Sequence, residues 1–245
     1  MSVVINAFLD SVFGFLLAWP PLLAISVVSL VVSLIIVGAY KLLTDQKEMK
    51  RLKDELKEMQ KKMKSLKDDP EKMMKVQREA MALNMQYMSK SMKPTLVTFL
   101  PIILVFGWMN AHFAFEPLLP NQEFLLTAEV KGAENVSVVV PEGLSVVSGM
   151  SVAPKEGIAE FRLKGEEGRH LVTLQGGGEE VDKEVLITTD RAYAEVSQAY
   201  KGNVFERVSL GNEKLLVFWK LGWLGTYIIL AIVLSTVLRK LFKVY

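Results

Sequence analysis

No cysteine occurs anywhere in the 245-residue chain. Disulfides, a thiol nucleophile and cysteine-ligated metals are therefore excluded. Histidine is scarce: His112 and His170 are the only two, and they lie far apart. There is no glycine-rich phosphate loop, no metal-spaced cluster of histidines or carboxylates, and no nucleophile–base pair. The Gly176-Gly177-Gly178 run falls between strand-like segments and reads as a loop. These absences argue against an enzyme, and no cofactor, metal or small-molecule substrate is expected. No Asp, Glu, Arg or Lys lies deep in the long apolar blocks, which argues against a proton relay or an ion-coupled transporter.

What the chain does hold is apolar. Hydrophobic residues make up 51% of it, and the mean hydropathy is +0.28. The apolar residues are clustered rather than dispersed. Residues 22–43 form an uncharged block closed by Lys41, long enough to cross roughly 30 Å of hydrocarbon. Residues 94–115 form a second block, reached through Lys93-Pro94 and containing Pro101 and Gly107. Residues 215–238 form a third, with Trp219, Trp223 and Tyr227 as an aromatic belt and a basic tail, residues 239–245, behind it. Residues 1–21 are apolar but interrupted by Asn6 and Asp10. Ile5, Phe8, Val12, Phe15 and Trp19 share one face, as in a helix lying in the membrane interface. A secretory signal is the rival reading, but a basic leading region and a small-residue cleavage site are missing.

Between the first two blocks lies a basic, methionine-rich segment, residues 44–93. It carries fourteen Lys and Arg against nine acids, whereas residues 116–214 carry ten against seventeen. Met49, Leu52, Leu56, Met59, Met63 and Leu66 recur at steps of three and four, the period of a coiled coil. Asp68-Asp69-Pro70 interrupts them. Asp69 suits an N-cap and Pro70 a first helical position, so a second helix should begin there. The expectation is an antiparallel coiled-coil hairpin. The second helix carries Met74, Met81, Met85, Met88 and Met92, with Met73 and Tyr87 beside them. These methionines are either the packing seam between the arms or an open surface for apolar guests, since methionine repacks around many shapes. Lys57, Lys61, Lys62 and Lys64 form a basic surface that is a solvated face or a contact for ribosomal RNA or anionic headgroups.

Three spans place the chain ends on opposite sides. The hairpin and the basic tail then share one side, which the positive-inside rule makes cytoplasmic. The N-terminus and the acidic segment lie outside, and the expected location is the plasma membrane. In that outer segment, residues 118–190, five β-prone runs alternate with turn residues. They suggest a small β-sandwich of immunoglobulin-like type. Residues 191–214 read as a linker. Asn135-Val136-Ser137 is a glycosylation sequon, a frequent three-residue accident.

The apolar blocks hold a few polar groups. Ser26, Ser29 and Ser33 lie on one face of the first. Thr98 and Asn110 lie in the second, and Thr226 and Ser235 in the third. Such residues usually bond their own backbone or allow close helix packing. The alternative is a water-filled furrow, open on one side to lipid.

The order of parts resembles the Oxa/YidC/Get superfamily of membrane insertases, closest to its archaeal YidC-like members and the third subunit of the endoplasmic reticulum membrane complex. The residues that carry the likeness are Met88-Ser89-Lys90-Ser91-Met92-Lys93-Pro94 running to Pro101, and Trp223-Leu224-Gly225-Thr226-Tyr227 leading to Leu238-Arg239-Lys240-Leu241. The resemblance implies an insertase or chaperone for nascent membrane proteins, working in the lipid bilayer beside a ribosome or translocon. It implies client binding by Met73, Met74, Met81, Met85, Met88 and Met92. It also implies a hydrophilic groove from Ser26, Ser29, Ser33, Thr98, Asn110, Thr226 and Ser235. The bacterial pattern places a cation within the groove; here the nearest is Lys41, at the membrane edge. The rival readings are a membrane-anchored coiled-coil scaffold and an oligomeric ion channel.

Overall fold

The computed structural model describes residues 3–66 and 69–244, with side chains from Phe8 onward. Asp68 of the expected turn and the side chain of Ile5 lie outside the described residues. The chain divides into two compact units.

The first unit comprises Met1–Leu9, Leu22–Gly107 and Leu224–Tyr245 and is helical. Helix α2 (Pro21–Leu43) begins on a proline, whose missing N–H costs nothing in the first turn. Helix α3 (Gln46–Ser65) is capped by Asp45, whose carboxylate accepts from the backbone N–H groups of Lys47 and Glu48 at 2.9 and 3.2 Å. Helix α4 (Pro70–Phe113) is capped by Asp69, which accepts from Lys72 N–H at 3.2 Å and pairs with its ammonium at 2.7 Å. Those two bonds hold the Asp69 carboxyl below its ordinary value.

Helix α4 runs unbroken for 44 residues through Pro94 and Pro101, about 66 Å of axis. The block expected at 94–115 is thus the second half of one helix. Each proline removes a backbone donor. Around them the hydroxyls of Ser91, Thr95 and Thr98 donate to the carbonyls of Tyr87, Ser91 and Pro94 at 3.0, 2.8 and 2.9 Å. Such local hydroxyl bonds keep backbone carbonyls satisfied in an apolar setting. Helix α5 (Trp223–Phe242) completes the unit. Helices α2, α4 and α5 are each long and apolar enough to cross a membrane.

The third block therefore starts later than its hydropathy indicates. Residues 215–222 are not helical. They fold into a tight turn in which Val217 N–H and Leu221 N–H donate to Leu221 O and Phe218 O, both at 2.9 Å.

The second unit comprises Asp10–Pro21 and Trp108–Trp223. It takes in the end of α1 (Val3–Phe13), a 3-10 turn (Gly14–Ala18), the last turn of α4 and nine strands. The strands are β1 (Glu123–Val130), β2 (Val136–Val139), β3 (Leu144–Val146), β4 (Ser151–Val152), β5 (Ile158–Gly165), β6 (Gly168–Gly176), β7 (Glu179–Ile187), β8 (Ser197–Ala199) and β9 (Phe205–Leu210). They form a five-stranded sheet, β3-β5-β1-β9-β8, and a four-stranded sheet, β4-β2-β6-β7. Both contribute to one core that includes Leu126, Phe161 and Leu163 from the first sheet and Val138, Leu174 and Val185 from the second. Asn135 is exposed just before β2.

Residues 191–214, expected as a linker, instead supply β8 and β9, and β9 pairs directly with β1. Its pattern was hard to read because the register shifts at Glu129/Val130. That irregularity places the buried residues at Phe205, Val208 and Leu210 rather than at strict alternation. Lys183 of β7 is buried as well, its ammonium donating to Glu195 O just before β8. Burial pushes this amine below its ordinary value.

Candidate functional site

In the helical unit each spanning helix turns a hydroxyl inward. Ser29 and Ser33 of α2, Thr98 of α4 and Thr226 of α5 are all buried. Beside Thr98 the neighbours point the other way: Val97 and Phe99 are exposed. Thr98 satisfies itself on Pro94 O and Thr95 O. Ser29 does not. It is 0% exposed, and its Oγ has no hydrogen-bond partner among the described residues.

The remaining groove candidates are placed differently. Ser26 is half-buried and donates to Leu22 O at 2.7 Å. Ser235 donates to Ile232 O at 3.3 Å. Both hydroxyls are used within their own helix. Asn110 is exposed and belongs to the other unit; its carbonyl accepts from the Tyr193 hydroxyl. The buried set is thus Ser29, Ser33, Thr98 and Thr226. Lys41 is exposed at the end of α2, 5.5 Å from the centre of the Phe242 ring.

The methionines of α4 separate into two groups. Met74, Met81, Met85, Met88 and Met92 are 52–71% exposed. Met73 is half-buried and aligns with Val76, Ala80, Leu83 and Tyr87, which are half-buried too. These five recur at steps of three and four, the spacing of one helix face. On α3, Met49 and Leu52 are fully buried, and Leu56, Met59 and Met63 are half-buried. Lys90 of α4 pairs with Glu48 of α3 at 3.2 Å, and Tyr40 bonds Thr95 at 2.9 Å. The half-buried stripe of α4 is thus Met73, Val76, Ala80, Leu83 and Tyr87, and the methionine row beside it stays open. Met73, expected to bind clients with the other methionines, lies instead in the half-buried stripe; Val76, Ala80 and Leu83 were not singled out from the sequence. Their three-four spacing was the available signal, masked by the conspicuous methionines. Lys57, Lys61, Lys62 and Lys64 are all exposed.

The second unit contains a polar cluster that sequence reasoning did not assemble. Asp10 accepts from Trp108 Nε1–H at 2.7 Å and lies 3.2 Å from His112 Nε2. His112 Nδ1 is 3.0 Å from Arg191 O. The Arg191 guanidinium donates to Trp19 O at 3.0 Å, and burial lowers its pKa from the ordinary value. Tyr193 accepts from Ala114 N–H at 3.0 Å, and burial raises its phenol to about 12. Residues nearly one hundred apart thus tie the N-terminal stretch to the end of α4. No group of three or more histidines and carboxylates fit to hold a metal occurs among the described residues.

A family model described as integral membrane protein, EMC3/TMCO1-like, matches residues 6–148. The match covers more than half of the chain, including α2, α3, α4 and the first three strands; α5 and its quoted motif lie beyond it. No curated protein and no solved structure matches. On that match the chain belongs to the EMC3/TMCO1-like family of integral membrane proteins, within the Oxa1/YidC/Get1 insertase superfamily.

Proposed function

We propose that the protein is an archaeal-type insertase of the plasma membrane that receives apolar segments of nascent membrane proteins on α4 and passes them into the bilayer along the buried hydroxyls. One observation carries the reading: five methionines of α4 stand open beside a half-buried stripe. Burying one such side chain is worth about 1.5–3 kcal/mol, so an open row is an unmet demand for an apolar partner. Methionine suits partners that vary in shape, because it is unbranched and polarisable.

In this reading α3 and the first half of α4 form an antiparallel coiled-coil hairpin on the cytoplasmic side. The support is the charge of residues 44–93, the basic tail and an odd number of spans. The N-terminus and the β-rich unit are then outside. A client's polar flank costs roughly 2.5–3.5 kcal/mol per charged group at the bilayer centre. Ser29, fully buried and without a partner among the described residues, can hydrogen-bond that flank when the helices part to admit it. Ser33, Thr98 and Thr226 extend the polar path. No covalent step is required. The exposed lysines at 57, 61, 62 and 64 face a ribosome, a translocon or headgroups.

The test is site-specific photocrosslinking in membrane vesicles during synthesis of a single-span client. A probe at Met85 should label the client more strongly than one at Lys61; equal labelling would defeat client capture. Replacing Ser29 and Ser33 together by leucine should slow insertion while leaving the protein folded, and unchanged insertion would remove the hydroxyl path. Steady ion conductance in pure liposomes would favour the channel reading instead.

A further inference from the structure

The turn at residues 215–222 is the least expected feature of the chain. Its sequence reads as the start of a span, yet it is not helical. Trp219 sits at φ +55°, a left-handed conformation that a bulky side chain adopts only under constraint. The constraint is visible. Val217 and Leu221 close the turn through their backbone N–H groups, and an isolated bridge joins Phe218 to Leu221. The result presents Trp219 at 86% exposure, with Leu216, Phe218 and Leu221 exposed around it. Lys220 at the tip is exposed as well.

Both ends of this turn are tied to the ends of candidate spans. At its start, Lys214 bridges Phe115, and Leu215 N–H donates to Ala114 O at 3.2 Å. Those partners directly follow the end of α4 at Phe113. At its end the chain enters α5 at Trp223. A turn strung between the end of one span and the beginning of the next lies at the bilayer surface. Tryptophan, with an apolar body and one polar N–H, partitions to that interface, and lysine suits anionic headgroups.

We infer that residues 215–222 form a lipid anchor, with Trp219, Phe218 and Leu216 sunk into the headgroup–acyl boundary of the leaflet in which α5 begins. The occupant of this apolar surface is lipid, not a protein partner. The inference requires only that α4 and α5 span the membrane, and it stands apart from the proposed insertion activity.

The absence of native cysteine makes the test direct. Trp219→Cys and Lys220→Cys would each be introduced into the full chain, spin-labelled and reconstituted in vesicles of phosphatidylcholine and phosphatidylglycerol. Lys201→Cys serves as the aqueous reference. It is exposed in the turn before β9, at the end of that strand remote from residues 211–214. Accessibility to oxygen and to a water-soluble nickel chelate reports depth. The expected result is a Trp219 label open to oxygen and closed to nickel, a Lys220 label shallower, and a Lys201 label open to nickel. Nickel access at both 219 and 220 equal to that at 201 would overturn the anchor. Labels at both sites closed to both quenchers would overturn it too, since a protein partner would then cover the turn.

Discussion

The two units of this protein treat the same residue types differently. In the strands, alternate apolar side chains point inward and polar ones outward; β5 alternates exposed and buried over its whole length. In the spanning helices four hydroxyls, those of Ser29, Ser33, Thr98 and Thr226, share the interior with apolar residues such as Val28, Val32 and Val37, while many leucines and phenylalanines lie outside. Leu96, Val97, Phe99 and Leu100 are exposed around buried Thr98. The difference is the solvent. Apolar surface drives burial only where water is the alternative, and in lipid that drive between helices vanishes. An aromatic ring is then exterior without penalty, and a hydroxyl is interior where its own helix's carbonyls or close helix packing accommodate it. The two units should therefore respond differently to the same substitution.

The largest contrast is expected between two phenylalanines. Phe161 is fully buried among both sheets, and Phe161→Ala should destabilise the β-rich unit by about 3–5 kcal/mol. Phe99 faces outward from α4. Phe99→Ala should change stability by less than about 1 kcal/mol, because its ring exchanges lipid contact for lipid contact. Thermal unfolding of the purified protein in detergent, followed by circular dichroism, reads both. Equal losses would mean that the outward face of α4 is packed against protein rather than lipid.

A second effect falls on the polar cluster of the β-rich unit. Asp10→Ala leaves the Trp108 indole N–H without its acceptor and removes the carboxylate beside His112. A stranded buried donor costs about 1–3 kcal/mol. Asp10→Asn keeps an acceptor oxygen and should recover part of that loss in the same unfolding measurement. If alanine and asparagine are equally harmless, Asp10 is not what holds the N-terminal stretch to α4.

Much of this architecture was legible in the chain, and the missing parts share a cause. Strands β1, β2, β5, β6 and β7 announce themselves by alternation between glycine-rich turns. Strands β3 and β4 have three and two residues, too few for a period to show. Strand β9 hid because the register shift beside it broke the period. The spans were found by hydropathy, but hydropathy could not tell the turn at 215–222 from the first turns of α5. Nor could it tell which stripe on α4 was half-buried. Val76, Ala80 and Leu83 follow the seam spacing, yet a row of methionines one step around the helix is more conspicuous. Periodicity shows that a face exists; it does not identify its partner.

The contrast extends to proton linkage outside the membrane. The Tyr193 phenol donates to Asn110 O and must stay protonated to do so. Its folded value is raised from 10.0 to about 12. A raised folded value means that its contribution is complete below pH 10 and is lost as pH climbs through about 12. The amine of Lys183 behaves oppositely. Its folded value is lowered from 10.5 by burial, so its penalty is present at neutral pH and fades as pH rises to 10.5. Above pH 10.5 only the tyrosine loss of this pair remains. Tyr193→Phe should lower stability at pH 7 by about 1 kcal/mol and flatten the decline between pH 10.5 and 12. An unchanged decline would assign the alkaline loss to other groups.

The smallest effect has the opposite sign and concerns the buried hydroxyls of the spans. Ser29 Oγ is buried with no partner among the described residues, whereas the Thr98 hydroxyl has two carbonyls within reach. Hydrogen bonds within membrane bundles average about 0.6 kcal/mol. Thr98→Val should thus destabilise the helical unit by about that much. Ser29→Ala removes a polar group with no hydrogen-bond partner among the described residues, so it should leave stability unchanged or raise it by about 0.5–1 kcal/mol. If Ser29 serves only to let helices pack closely, alanine does that equally well and client insertion continues at the wild-type rate. If it serves passing polypeptide, insertion slows while the protein becomes no less stable. A steric role moves neither quantity, a structural hydrogen bond moves both downward, and only a transport role separates them. Unfolding in detergent and insertion of a single-span client into vesicles, measured on the same Ser29→Ala protein, distinguish the three.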